Sequence, residues 1–394
     1  MNGDPVARTF GVLRMRSRDR QEPHRTASPL ELFFDLVFVV AVAISSATLH
    51  HLQVDGHLWG GIGGYLAVFF AVWWAWLNFT WFATSFAVDD WLYRVTTIIQ
   101  MAGALVVAAG AAPAMTEGNF TIVTTGYVIT RLAMVAQWLR AAVSVPELRG
   151  TALRFAAGIT IVQIAWVLRL LLPPELGVAS FLALVVAEIS IPLIAERGNP
   201  TPWHAHHITE RYGLFTIILL GESILASSNA VIDALQHGEH IPELIGLAIA
   251  GLILAAGMWW VYFSRDQSGH ITTLSSSLTF GYFHYVIFAA AGAFSAGIEV
   301  MITVTEDPNV LTVPGLTATI PVAGFVLGIW LLTLRKTLTT TVNMIVLAAI
   351  VIIAAAGLLG SGGLGVASVA MIGIVIALEA SATPAHRSSV SSKT

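Results

Sequence analysis

The sequence predicts an all-α polytopic membrane protein of about twelve transmembrane helices, built as a parallel 6+6 tandem repeat with both termini cytoplasmic. Three observations carry this reading. Of 394 residues, 56% are hydrophobic and 11% charged, against roughly 25% charged in an ordinary soluble domain. The apolar residues fall in runs of about 20, the length at which a helix crosses ~30 Å of hydrocarbon. Lysine and arginine crowd into alternate connections and are missing from the others. Strand-like alternation is absent, so the Ala-, Leu-, Val-, Ile- and Gly-rich runs read as helices rather than as a barrel.

Residues 1–28 form an Arg-rich cytoplasmic tail with no apolar stretch ahead of the first span, so the first span is expected to stay as a helix rather than be cleaved. The tail is expected to anchor topology and touch anionic lipid, not nucleic acid. Spans are predicted near 30–49, 59–82, 93–112, 120–142, 152–172 and 176–195, which make a first six-helix repeat over 29–197. A His-rich cytoplasmic linker follows at 198–209. Spans near 211–232, 241–263, 279–303, 316–334, 338–357 and 363–382 make the second repeat over 210–384, and 385–394 is a cytoplasmic tail. With Arg8, Arg14, Arg16, Arg18, Arg20 and Arg25 taken as inside, Arg94, Arg140, Arg149, Arg154, Arg197, Arg211, Arg265, Arg335, Lys336, Arg387 and Lys393 fall inside too. The opposite loops "HHLQVDGH", "TEGN", "DALQHGEHIPE" and "TEDPNVLTVPG" hold neither residue, and only Arg169 falls near the outer side.

The repeat is read from matched segments. "AVWWAWLNF" of the second span resembles "GMWWVYF" of the eighth, and "QMAGAL" of the third resembles "AAAGAF" of the ninth. "QWLR" ends the fourth span as "IWLLTLR" ends the tenth. "AEISIPLIAER" matches "LEASATPAHR", pairing Glu188 with Glu379, Ser190 with Ser381 and Arg197 with Arg387. Six spans is an even number, so both halves enter from the same face and the repeat is parallel.

Charges inside hydrocarbon cost about 2.5–3.5 kcal/mol each on insertion scales and usually face the bundle interior or water. Asp35, Arg131, Glu188, Glu222, Glu299 and Glu379 are the ones within or near spans. Arg131 and Glu222 lie deepest. Glu222 sits eleven residues beyond Arg211, close to three helical turns, so both share one face, with Gly221 and Ser223 permitting close approach. Glu31 and Asp35, at i and i+4, share another face and suit cation binding or a shared proton, although Glu31 also suits a plain helix-start acid. Arg211 is the expected partner of Asp35, and Arg131 of Glu222. His204, His206 and His207 stand beside Glu210, with His207 a candidate proton relay. Their spacing matches no metal motif, and the chain has no cysteine, so no metal or cofactor is expected. Trp73, Trp74, Trp76, Trp81, Trp259 and Trp260 read as packing and interface residues. "GGIGG" and "GSGGLG" read as close-approach or bend segments, since neither joins a strand to a helix.

"SPLELFFDLVFVVAVA" together with "HITERYGLFTIILLGESI" resembles the bacterial low-temperature-requirement A (LtrA) family. The first carries an acid-Leu-Phe-Phe-Asp-Leu-Val-Phe core, and the second a Glu-Arg-aromatic-Gly-Leu segment leading to Leu-Gly-Glu-Ser. The resemblance spans essentially the whole chain. It carries over Glu31, Phe34, Asp35, His207, Glu210, Arg211, Gly213, Gly221, Glu222 and Ser223 as motif positions. It implies a multi-pass protein of the bacterial cytoplasmic membrane, in a family named for growth in the cold, and no particular activity. The buried charges themselves favour a transporter or permease for an ion, proton or small solute, with Glu31, Asp35, Arg131, Glu188, Glu210, Arg211, Glu222, Ser223 and Glu379 along its path. The alternatives are a lipid-modifying integral-membrane enzyme, or a sensor or assembly protein without turnover. The expected partners are the bilayer and a small substrate, and a homo-oligomer is compatible with the sequence.

Overall fold

The computed structural model describes residues 11–19, 22, 25–237, 240–307 and 313–381. Arg8, Arg20, the 385–394 tail and the expected match of Arg197 with Arg387 lie outside the described residues, wholly or in part. Among the described residues, twelve helices are long and apolar enough to cross a membrane. They are α1 (Pro29–Val54), α2 (Leu58–Ser85), α3 (Trp91–Thr116), α4 (Thr121–Ser144), α5 (Arg149–Arg169), α6 (Gly177–Ala195), α7 (Ala205–His237), α8 (Ile241–Phe263), α9 (Leu274–Glu306), α10 (Gly315–Ile329), α11 (Thr340–Ala356) and α12 (Gly363–Ala380). Each corresponds to one expected span. Helix α10 reaches spanning length through a π-turn over Trp330–Leu334.

Polar caps extend some helices beyond their apolar runs. Helix α9 starts at Leu274 because the Thr273 hydroxyl accepts from the Ser276 N–H in a reciprocal capping box. Helix α7 starts at Ala205, so the last five residues of the expected linker 198–209 are helical. There the Nδ1 of His204 accepts from the His207 N–H at 3.3 Å, and its carbonyl accepts from Ile208 at 3.1 Å. An imidazole fills the place that Ser, Thr, Asp or Asn usually takes at a helix start.

The chain divides into two compact units. The first holds Met1–Phe38, Trp74–Gly110 and Phe120–Ile208; the second holds Val39–Trp73, Ala111–Asn119 and Thr209–Thr394. Helices α1, α2, α3 and α7 contribute to both. In the first unit α5 packs between α4 and α6. Helices α3 and α4 approach so closely that a Cβ on Gly126 would stand 2.5 Å from the Val107 amide nitrogen, which only glycine permits. In the second unit α10 packs along α9, α11 joins α10 to α12, and α12 lies on α8.

A short strap closes one end of the first unit. Strand β1 (Arg16–Ser17) pairs antiparallel with β2 (Phe86–Ala87), the segment that follows α2. Asp90 fastens the strap. It caps α3 through the Tyr93 N–H at 2.9 Å, accepts the Leu13 N–H at 2.7 Å, and pairs with Arg140, which also bonds the Leu13 carbonyl. Burial alone would raise the Asp90 carboxyl, but Arg140 and the two amides outweigh it and hold it below the usual range. Arg14 donates to the Ser144 carbonyl and Arg18 to that of Phe86. These tail arginines, expected to face lipid, bond the protein's own backbone.

Candidate functional site

Helix α1 begins with a capping box written in the sequence as Ser28-Pro29-Leu30-Glu31. The Glu31 Oε2 accepts from the Ser28 N–H at 2.6 Å, and the Ser28 hydroxyl accepts from the Glu31 N–H at 3.3 Å. The other carboxylate oxygen meets two bases. Arg25 reaches it at 3.1 Å, and the Nε2 of His207 lies 3.1 Å away, with both Glu31 and His207 buried. His204 fixes the approach of His207 by capping α7. Because its Nδ1 accepts, its proton is on Nε2, which donates to the Glu22 carbonyl at 2.9 Å.

Asp35 lies one turn deeper on α1. The face of α1 that carries Phe33, Leu36, Val40 and Ile44 is exposed, while Phe34, Asp35 and Phe38 are buried, Asp35 at 0% exposure. Phe34 stacks on Phe38 and on Phe79 of α2, with ring centroids 4.4 and 3.9 Å apart. The Trp76 indole N–H donates to Asp35 Oδ1 at 2.7 Å. Burial thus strips water from this carboxylate and a tryptophan replaces part of it, which limits the desolvation cost.

A second carboxylate is more completely enclosed. Glu188 of α6 is fully buried and accepts from five donors. Its Oε1 takes the Tyr127 hydroxyl and Gln163 amide at 2.8 Å each, and the Trp166 indole at 3.3 Å. Its Oε2 takes the Trp74 indole at 2.9 Å and Arg131 Nη2 at 3.0 Å. The expected partner of Arg131 was Glu222; the structure gives it Glu188. The physical reason is lateral order: depth along a helix is readable from sequence, but which helix stands beside which is not, and α5 brings α4 and α6 together.

The family model for the bacterial low temperature requirement A protein (LtrA) matches residues 26–379. The chain belongs to the LtrA family. An uncharacterized protein of Rhizobium meliloti (strain 1021) is 29% identical over 291 residues, covering 68% of this chain and 68% of that protein. The LtrA match begins just before the α1 capping box and ends at Glu379, so it takes in the buried carboxylates Glu31, Asp35 and Glu188 of the first unit.

The remaining sequence-selected residues of this LtrA protein occupy the second unit. Arg211 and Ser223 of α7 are fully buried, Glu210 and Glu222 partly so. The Ser223 hydroxyl has no hydrogen-bond partner among the described residues. Glu299 accepts from Asn229 at 2.8 Å. Glu379 of α12 accepts from the Trp260 indole at 2.9 Å. Within each unit, then, a tryptophan of the matched Trp-Trp segments holds the glutamate of the matched sixth and twelfth spans.

Three features escaped the sequence. Trp74, Trp76 and Trp260, read as packing residues, each aim an indole N–H at a carboxylate. Asp90 carried no pattern beyond an acid before a helix, although that position is itself a cap signal. His284 of α9 is fully buried, bonding the Phe280 carbonyl through Nδ1 at 2.7 Å and the Tyr262 hydroxyl through Nε2 at 3.0 Å. A lone histidine on an apolar face gives no signal of its own. Arg169, the exception to the charge asymmetry, bonds the Gly177 carbonyl and lies 5.5 to 5.8 Å from the ring centroids of Phe120, Trp166 and Phe181.

Proposed function

We propose that this LtrA-family protein carries protons, or a small solute coupled to them, across the bacterial cytoplasmic membrane, with His207, Glu31 and Asp35 as the proton-handling groups. The observation that carries the proposal is the buried contact of His207 Nε2 with Glu31 at 3.1 Å, with buried Asp35 one turn deeper on the same face of α1. Histidine titrates near neutral pH, and an imidazole and a carboxylate at hydrogen-bond distance exchange a proton readily. Residues at i and i+4 stand about 6 Å apart at Cβ on one face of a helix, so the proposed path runs along α1 from Glu31 to Asp35. Glu188 is left out of this path. Its five donors, one of them a guanidinium, enclose it completely, so Arg131 and Glu188 fit a role in holding α4 and α6 together. That closed cluster favours the second reading, a sensor or assembly protein without turnover.

The test is reconstitution into liposomes with a trapped pH-sensitive dye, an imposed pH gradient and the membrane potential clamped. Discharge faster than in empty liposomes is expected. No discharge above the empty control, with or without other cation gradients, would remove the proposal.

Orientation and duplication belong to the same proposal. The Lys/Arg asymmetry supports placing both termini, and the loops near residues 145 and 268, inside; reporter fusions there and at 55 should read inside, inside and outside. Identical readings at 55 and 145 would reverse it. The Trp74–Glu188 and Trp260–Glu379 bonds, equal at 2.9 Å, support descent of the two halves from one six-helix ancestor. An experimental structure with Glu379 remote from Trp260 would withdraw that support.

A further inference from the structure

The second unit contains a cavity of about 710 Å³ at the end where α8, α10 and α12 begin and α9 ends. Its volume lies within the roughly 300–1,000 Å³ typical of small-molecule sites. The walls are apolar and largely buried, from Leu247, Ala250, Met301, Pro314 and Leu364. The polar groups are few: the Thr305 hydroxyl, the His240 ring and one carboxylate, Glu243. Nothing in this set belongs to the His207–Glu31–Asp35 site, so the inference stands or falls separately from the proton reading.

Two features mark Glu243 and His240 as more than lining. Glu243 sits in the first turn of α8, exposed, and takes part in none of the ion pairs or hydrogen bonds of the described residues. His240, at the head of α8, is held at φ 50°, the one positive φ outside glycine among the described residues. A left-handed non-glycine backbone is strained and persists where surrounding structure or function demands it. The local charge has one sign. Glu243 is the one formally charged side chain in the lining, which holds neither lysine nor arginine, so the potential there attracts cations.

We propose that this cavity binds a small organic cation: a protonated amine on Glu243 with its apolar body against Leu247, Met301 and Leu364. The lining has no aromatic ring besides the His240 imidazole, which disfavours a quaternary ammonium held by cation–π contacts. An ammonium that still carries N–H donors instead finds the Glu243 carboxylate and the Thr305 hydroxyl. Charge-assisted hydrogen bonds to a carboxylate are about twice as strong as neutral ones, so the charge is the recognition element and the walls supply the remainder.

The test uses the full chain in nanodiscs, titrated calorimetrically with hexylammonium, with hexanoate and hexanol as charge controls. Two variants accompany it. Glu243→Gln removes the charge on an exposed side chain. Gly246→Leu fills the cavity, since a Cβ at Gly246 meets no atom within 4 Å and the larger side chain enters open space. Saturable hexylammonium binding is expected, weakened at least about tenfold by either variant while the melting temperature of the unliganded protein stays put. Hexanoate should bind far more weakly. No saturable binding by the native chain overturns the inference. So does hexanoate binding as tightly as hexylammonium, or both variants binding like the native chain.

Discussion

Replacing Glu188 by glutamine tests whether the enclosed cluster is a structural ion pair. The native carboxylate accepts five donors across two oxygens, with Trp74 and Arg131 sharing Oε2. Glutamine keeps one acceptor oxygen and turns the other position into an NH2 group, so at least two donors lose their acceptor and Arg131, at 1% exposure, loses its counter-charge. Breaking a buried pair from one side costs about 3–5 kcal/mol, and each buried donor left unmade about 1–3. These overlap rather than add, so about 3–5 kcal/mol is the expected total. The lower bound is more than a hundredfold in the folding equilibrium. Unfolding of the purified protein in mixed detergent, followed by tryptophan fluorescence, reads this directly because Trp74 and Trp166 touch the carboxylate. Arg131→Met should destabilise by a similar amount. The double variant Glu188→Leu with Arg131→Met should cost clearly less than the two single changes together, since no charge is left unpaired. A Glu188→Gln protein within about 1 kcal/mol of native, or strict additivity in the double variant, would refute the reasoning.

Trp76→Phe preserves an aromatic ring but removes the indole donor 2.7 Å from Asp35; a loss of about 1.5–3 kcal/mol is expected for a hydrogen bond to a charged group, read by the same unfolding measurement. The strap should be acid-labile. Burial raises the folded Asp90 carboxyl, and Arg140 with two amides more than reverses that. Its contribution is therefore complete above the unfolded value of about 3.9 and is lost as pH falls through the folded value. Hydrogen exchange over residues 11–19 should show protection at neutral pH that disappears in acid, and Asp90→Asn should lack it throughout; protection independent of both would contradict the assignment.

The architecture was legible because hydrocarbon thickness imposes one length on every span, and twelve apolar runs of that length stand in the sequence. The start of α1 was equally legible: Ser28, Pro29 and Glu31 occupy the positions of a capping box, and the acid expected there as a helix-start residue does cap the helix. What stayed hidden is lateral. Arg131 and Glu222 matched in depth, yet depth does not order helices side by side, and Arg131 met Glu188 instead. The indoles of Trp74 and Trp76 hid behind their own bulk, since a tryptophan cluster reads as packing until the direction of its N–H is known. Two-residue strands such as Arg16–Ser17 fall below any alternation that a sequence can display. The start of α7 was misplaced because a histidine, rather than a hydroxyl or carboxamide, accepts the first free amide.

The most direct measurement is proton flux through liposomes containing Asp35→Asn, normalised to correctly folded protein and compared with native chain at the same pH gradient. The substituted carboxamide keeps the size of the side chain and an acceptor for Trp76, but cannot carry a proton at neutral pH. If His207, Glu31 and Asp35 handle the proton, flux in this variant falls to the level of empty liposomes while the protein remains folded. Native flux through folded Asp35→Asn protein would contradict the proposed path.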